Sequence, residues 1–259
     1  MNKHCRIDVA QGVMTIWNCN AGQRNALTPE YYAGINAGLE RATNDAAIHA
    51  VVLAGEGGFF CSGGNLNALK LRRELSMPDR RAKVDELHAI ILGIRACPKP
   101  VIAAVEGGAA GAGLSLAMAC DLIVAGESAK FTLAYVKAGL TPDGGASYAL
   151  MQAMPRATVA RMALLGTPVA AARMYALGAI SDLVADDAVL GHARDLALKL
   201  GAGPEQAIAN IKSLLNAAET SDLESHLIAE RDAVCDALGG DEGAEGIAAF
   251  LDKRKPVFR

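Results

Sequence analysis

The chain is poor in aromatic residues, has no cysteines at metal-ligand spacing, no long apolar run and no block of one charge, and each lack removes a class of function. Its six cysteines, at 5, 19, 61, 97, 120 and 235, are scattered and include no Cys-x-x-Cys pair. They read as reduced, mostly buried thiols, and neither a disulfide framework nor a metal site is expected. Twenty-five basic residues are interspersed with 28 acidic ones for a net charge of −3, so no cationic field exists to attract nucleic acid or an anionic membrane surface. The least polar stretch, residues 107–120, lies between Glu106 and Asp121 and is too short and too glycine-rich to cross a bilayer. Residues 1–10 alternate polar and apolar without the continuous hydrophobic stretch of a signal peptide, and a cytoplasmic location is expected.

What the chain has is small residues. An apolar fraction of 52% with only 4% aromatics, together with 27 glycines, indicates an interior of small aliphatic groups at close backbone distances, which suits an α/β enzyme. Two glycine-rich elements stand out: Phe60-Cys61-Ser62-Gly63-Gly64-Asn65-Leu66, and the segment 107–116 containing Gly107, Gly108, Gly111 and Gly113. Each follows an apolar, β-branched run, Val51-Val52-Leu53 or Val101-Ile102-Ala103-Ala104-Val105, that reads as a buried strand. Small residues after a strand permit a turn whose N–H groups face outward. Two such groups converging could hold a carbonyl oxygen as it becomes negative.

Residues 6–18 read as a strand pair broken at Gln11-Gly12. Thr28-Pro29-Glu30 supplies an N-cap, a proline at the first helical position and an acidic first turn, which predicts a helix over 29–44. A strand over 50–54 leads into the first glycine element. The charged segment 66–81, interrupted by Pro78, reads as an adaptable helix and loop beside the site, and a helix follows over 84–95 until Pro98-Lys99-Pro100 stops it. Further strands are expected at 122–124 and from Lys130. From about residue 152 the spacing is helical, with helices over 158–165, 169–177, 189–200, 203–218 and 220–238. The boundary between the α/β core, 1–195, and a helical oligomerisation region, 196–259, is drawn there.

Five segments match, in order, the pattern of the crotonase superfamily, also called the enoyl-CoA hydratase/isomerase family: Arg24-Asn25-Ala26-Leu27, the 60–66 loop, Lys99-Pro100-Val101 through Cys120-Asp121, Gly139-Leu140-x-Pro142, and Phe250-Leu251-Asp252-Lys253. The chain resembles that family along nearly its whole length. The resemblance implies an α/β fold, a spiral of ββα units, with C-terminal helices that form a homotrimer or a dimer of trimers. It implies an acyl-CoA substrate, with coenzyme A as part of that thioester and no tightly bound cofactor. The hole donors would be the N–H groups of Gly64 and Ala112. Coenzyme A would be met by Arg24, by the backbone around Ala26 and Leu66, and by Phe250 and Lys253, one helical turn apart, reaching a neighbouring subunit's ligand.

Hydratases of the family use two glutamates, and the matching positions here are Ser115 and Tyr135. Neither is a good base near neutral pH. A carboxylate returns at Asp143, a position used by isomerases of the family, where it could move one proton between carbons of an enolate held at Gly64 and Ala112. The expected function is therefore isomerisation of an unsaturated or ring-activated acyl-CoA. The string Ala134-Tyr135-x-Lys137-x-Gly139-Leu140-x-Pro142-Asp143 is also similar to isomerases of phenylacetate breakdown. Asp143, His88 and Tyr135 match positions of the 4-chlorobenzoyl-CoA dehalogenase branch, although Gly64 replaces a bulky aromatic there. Glu74, Asp79 and Glu86 are reserve acids. Enoyl-CoA hydration, thioester hydrolysis and acyl-CoA binding without catalysis remain alternatives.

Overall fold

The computed structural model describes residues 3–259, so the first two residues of the N-terminal segment lie outside the described residues. In chain order its strands are β1 (Cys5–Ala10), β2 (Val13–Asn18), β3 (Ala50–Gly55), β4 (Val101–Val105), β5 (Gly108–Ala110), β6 (Leu122–Gly126), β7 (Lys130–Thr132), β8 (Val169–Ala170) and β9 (Asp182–Val184). Among the described residues they form a six-stranded sheet, β1-β2-β3-β4-β6-β9, and a three-stranded sheet, β5-β7-β8. The larger sheet is parallel except for the β1–β2 hairpin. In the smaller one β5 and β7 are parallel and β8 is antiparallel.

The helices explain why β3 and β4 are buried at every residue. Those of the first half are α1 (Pro29–Asn44), α2 (Leu66–Arg72), α3 (Met77–Ala96) and α4 (Ala112–Met118). They are followed by α5 (Ala146–Ala153), α6 (Arg156–Leu165), α7 (Ala171–Ala176), α8 (Val189–Gly201), α9 (Glu205–Ala218), α10 (Leu223–Gly239) and α11 (Asp241–Leu251). Because side chains alternate along a strand, the two faces of β3 pack separately. Val51 and Leu53 join Ile35 and Leu39 of α1 and Ile90 and Ile94 of α3. Ala50, Val52 and Ala54 instead meet Val189, Ala193 and Ala197 of α8. A parallel sheet covered on both faces needs such continuous apolar strands.

The expected ββα repeat is present. β4 enters the large sheet, β5 the small one, and α4 follows; β6 and β7 repeat this with a 3-10 turn at Ala134–Ala138. The unit that starts at β3 has shrunk to a single bridge, Cys61 to Ala109, before α2. Thr28 caps α1 through its side chain, accepting from Tyr31 N, with Pro29 in the first turn, as the sequence predicts.

Four expectations about single elements need correction. α3 begins at Met77 rather than Val84: Ser76 caps it and Pro78 lies in its first turn, so the proline read as a breaker starts the helix. Val169, expected to open a helix, pairs with Phe131 as β8, and α7 starts two residues later. The region after residue 152 is not wholly helical, because β9 adds an edge to the main sheet beside β6. Lys253 does not share a helix face with Phe250, since α11 stops at Leu251 and Lys253 takes a left-handed conformation (φ 55°). The boundary drawn at 195/196 falls inside α8, whose buried face lies on the main sheet.

Candidate active site

A cavity of about 630 Å³ opens between the glycine loops, α2, α3 and the segment 134–143. Its construction starts at residues 24–27. Arg24 and Asn25 both have positive φ, 49° and 55°, a conformation tolerated best by glycine and asparagine. Asn25 is buried and its amide donates to Glu56 O (2.8 Å) and Phe59 O (2.5 Å). Ser62 N donates to Arg24 O (3.0 Å) and Leu27 N to Gly63 O (2.8 Å), which stitches this turn to the first glycine loop.

The second glycine loop is brought to the first by strand pairing. Ala110 N donates to Cys61 O (2.9 Å), and Gly111 N to Thr132 O (2.9 Å). The two loops then touch where only glycine fits. A Cβ on Gly63, which has φ +89°, would lie 2.6 Å from Ala110 O and 3.0 Å from Ala112 N. Gly111 holds φ 53°, ψ −131°, a region essentially closed to other residues. Neither Gly64 N nor Ala112 N donates a hydrogen bond among the described residues. Gly64 and Gly111 line the cavity, while Ala112, buried, is the first residue of α4.

Facing this junction is Tyr135, whose ring comes within 3.9 Å of where a Gly111 Cβ would stand. Its hydroxyl donates to Asp143 Oδ1 at 2.6 Å. Ser115, buried, donates to the backbone carbonyl of Asp143 (2.8 Å) and lies 3.4 Å from the Tyr135 hydroxyl. Burial, and then the neighbouring Asp143 charge, push the Tyr135 phenol well above its ordinary range, so it stays a neutral donor. One oxygen of the carboxylate is thereby held, and the other has no hydrogen bond among the described residues. Asp143, Tyr135, Gly64 and Leu66, all anticipated from sequence, share one cavity.

Other anticipated residues fall elsewhere. His88 lines the cavity but pairs with Asp85 one turn away (3.6 Å), and no hydrogen bond links it to Asp143 or Tyr135. Ala26 is buried with its N–H on Gln23 O and its carbonyl on the Asn20 amide. Arg24 is exposed, its guanidinium 5.8 Å above the Phe59 ring. Phe250 is 84% exposed, and neither it nor Lys253 lines the cavity. Of the reserve acids only Glu86 lines it, bound to Lys83 at 2.6 Å, while Asp79 is taken by Ser76.

Sequence reasoning missed Tyr32, Arg72 at the end of α2 and Arg73 just after it. Tyr32 lines the cavity, and burial raises its phenol far above the usual value while Arg72 opposes the shift and Asp143 adds to it. Only its place on the inner side of α1, four residues after the cap, could have flagged it. Among the described residues no group of three or more His, Cys, Asp or Glu side chains is placed to hold a metal ion. No described helix is long and apolar enough to cross a membrane.

Comparison with known proteins gives the same neighbourhood throughout. The sequence model of enoyl-CoA hydratase/isomerase matches residues 8–259. A 1,2-epoxyphenylacetyl-CoA isomerase of Escherichia coli K12 is 35% identical over 96% of both chains. A 2,3-dehydroadipyl-CoA hydratase of the same organism is 32% identical over 91% of both. A crystal structure of an enoyl-CoA hydratase from Polaromonas sp. JS666, 41% identical, superposes with a TM-score of 0.95 over 98% of this chain and 99% of that one.

Proposed function

Because the chain belongs to the enoyl-CoA hydratase/isomerase family, and so transforms acyl-CoA thioesters, we propose that its reaction is movement of a double bond by a single carboxylate, Asp143. The observation that carries this is the Tyr135–Asp143 contact at 2.6 Å in the wall facing Gly64 and Gly111. With Oδ1 held, Oδ2 is free to take a proton from C2 of a 3-enoyl thioester. The electron pair moves to the thioester oxygen, where the N–H groups of Gly64 and Ala112 receive the developing charge. Asp143 then returns the proton to C4, and the double bond comes to rest between C2 and C3. Each hole donor is worth a factor of roughly 10² to 10³, and the general base about 10² to 10⁴.

Addition of water would need one group to activate it and another to protonate the α-carbon. Ser115 is buried with its hydroxyl committed to Asp143 O, and Tyr135 is committed to Asp143 Oδ1. Hydration is nonetheless the second reading, since the 2,3-dehydroadipyl-CoA hydratase and the Polaromonas enoyl-CoA hydratase are both named for it and both cover this chain almost completely. It is the reading that the relatives' names back better. There Asp143 alone would take the proton from water and hand it to C2.

The same reading gives the C-terminal region, 196–259, its role. Leu215, Leu223, Leu238 and Phe250 are each more than 60% exposed on α9–α11, an apolar face suited to a homotrimer or a dimer of trimers. Phe250 and Lys253 would then reach the adenine and phosphate of a neighbour's coenzyme A. Incubation with 3-enoyl-, 2-enoyl- and aromatic acyl-CoAs in oxygen-18 water, with products identified by mass spectrometry, tests the reaction. A rearranged product of unchanged mass is expected. Heavy oxygen in the product would mean hydration or hydrolysis.

A further inference from the structure

Resting on the reading that the cavity takes an acyl-CoA thioester, we propose that Arg72 and Arg73 form a subsite for a second carboxylate at the far end of the acyl group. The favoured substrate is then the coenzyme A thioester of a dicarboxylic acid. Four cations line the cavity, Arg72, Arg73, Arg80 and Lys83, against two carboxylates, Glu86 and Asp143. Most of these charges are already satisfied: Lys83 holds Glu86 (2.6 Å), Arg80 donates to Leu75 O (3.0 Å), and Tyr135 holds Asp143. The guanidinium groups of Arg72 and Arg73 have no hydrogen bond or ion pair among the described residues. Arg72 is also half-buried. Arg73, just after it, is exposed. A partly desolvated guanidinium in a cavity wall suits a planar anion, which it can bind through two parallel N–H donors.

Position assigns that anion to the acyl end rather than to the coenzyme. Leu66 opens α2 beside Gly64, where the thioester carbonyl would be held, and Arg72 lies six residues further on, about 9 Å along the helix axis. Arg72, Tyr32, Tyr135 and Asp143 all line the one cavity, so Arg72 shares a recess with the carboxylate proposed to act on the reacting carbons. A medium-length acyl chain reaching from the Gly64 loop toward the end of α2 would bring an ω-carboxylate to the two arginines.

Calorimetric titration of the full chain with saturated thioesters tests this without any turnover. Adipyl-CoA is compared with hexanoyl-CoA, suberyl-CoA with octanoyl-CoA, and free coenzyme A serves as the reference. At least one dicarboxylic thioester is expected to bind tenfold or more tightly than its neutral counterpart. The gap is expected to narrow to about twofold in Arg72→Gln and Arg73→Gln, with an intermediate preference in Arg72→Lys, provided circular dichroism shows each variant folded. Equal affinity for both pairs in the unaltered protein overturns the proposal. So does a loss in Arg72→Gln that free coenzyme A shares equally, because the arginines would then serve the coenzyme's phosphates. Failure of every thioester to bind overturns the subsite together with the acyl-CoA reading, whereas absence of isomerisation leaves the binding comparison intact.

Discussion

The two walls of the cavity are made of different material. One is the end of a buried core: Gly64 follows β3, buried throughout, Gly111 and Ala112 follow β5, buried at two of its three residues, and Tyr135, Ser115 and Asp143 are locked to one another by hydrogen bonds of 2.6 to 3.4 Å. The other is α2, the turn after it and α3, exposed along most of their length and rich in charge, with Leu66 and Leu71 at least 70% exposed and with Arg72 and Arg73 making no side-chain hydrogen bond or ion pair among the described residues. Groups that act on the transition state must be preorganised, because a hydrogen-bond donor that has to move loses most of its catalytic value. Groups that choose among substrates can sit on an adaptable surface. On the proposed reading the chemistry is therefore built into the sheets, and the choice of acyl group into the helices laid over them.

The comparison breaks first at the core wall. Asp143→Asn keeps the shape of the side chain and removes the base, and a fall in kcat of about 10³ is expected with thioester affinity retained. Full activity in single-turnover assays would remove Asp143 from the reaction. Gly63→Ala would set a Cβ against Ala110 O and Ala112 N at a left-handed residue. The two loops must then part, and a loss of about 10² in kcat/KM is expected, read alongside Tm so that unfolding is not mistaken for a damaged hole. Tyr135→Phe frees the held carboxylate oxygen, with about a tenfold fall in kcat and little change in KM. Because the Tyr135 phenol is raised, its neutral form persists through and beyond pH 10. Its own ionisation gives no alkaline loss of activity, and the profiles of Tyr135→Phe and the unaltered protein should have the same shape on the alkaline side.

The smallest effect should come from the helical wall. Ser76 accepts from Asp79 N (3.3 Å) and donates to Asp79 Oδ2 (2.6 Å) at the start of α3. Ser76→Ala is expected to cost about 1 kcal/mol of stability by denaturant titration and to leave kcat within twofold. A large loss of kcat there would show that the helical wall also carries the chemistry, and that the contrast between the walls is wrong.

The core wall was the more legible of the two in the sequence, for a physical reason. Continuous β-branched runs and glycines at strand ends leave few alternatives, so β3, β4 and the loops after them are marked by residues 51–53, 60–66, 101–105 and 107–116. The Asp143 and Tyr135 positions were identified through resemblance, but their contact depends on a turn between them that no spacing announces. On α2 and α3 the signal is weak, because an exposed helix tolerates almost any polar residue. Pro78 can end a helix or start one depending on where the first turn falls, which the Ser76 cap decides. β8 and β9, of two and three residues, exist through pairing with Phe131 and with Val124–Gly126 and carry no periodicity of their own. Phe250 and Lys253 stand three residues apart, a spacing that shares a face only where a helix continues, and α11 ends between them.

The contact between the two glycine loops also bears on how the molecule can be divided. Gly63 and Ala112 belong to successive units of the spiral, separated in the chain by α2, α3, β4 and β5. The proposed oxyanion hole is a seam and not a property of either unit. A chain cut in the exposed turn between α2 and α3 would leave one loop on each fragment, so recovered turnover would report directly that the fragments had reassociated in register.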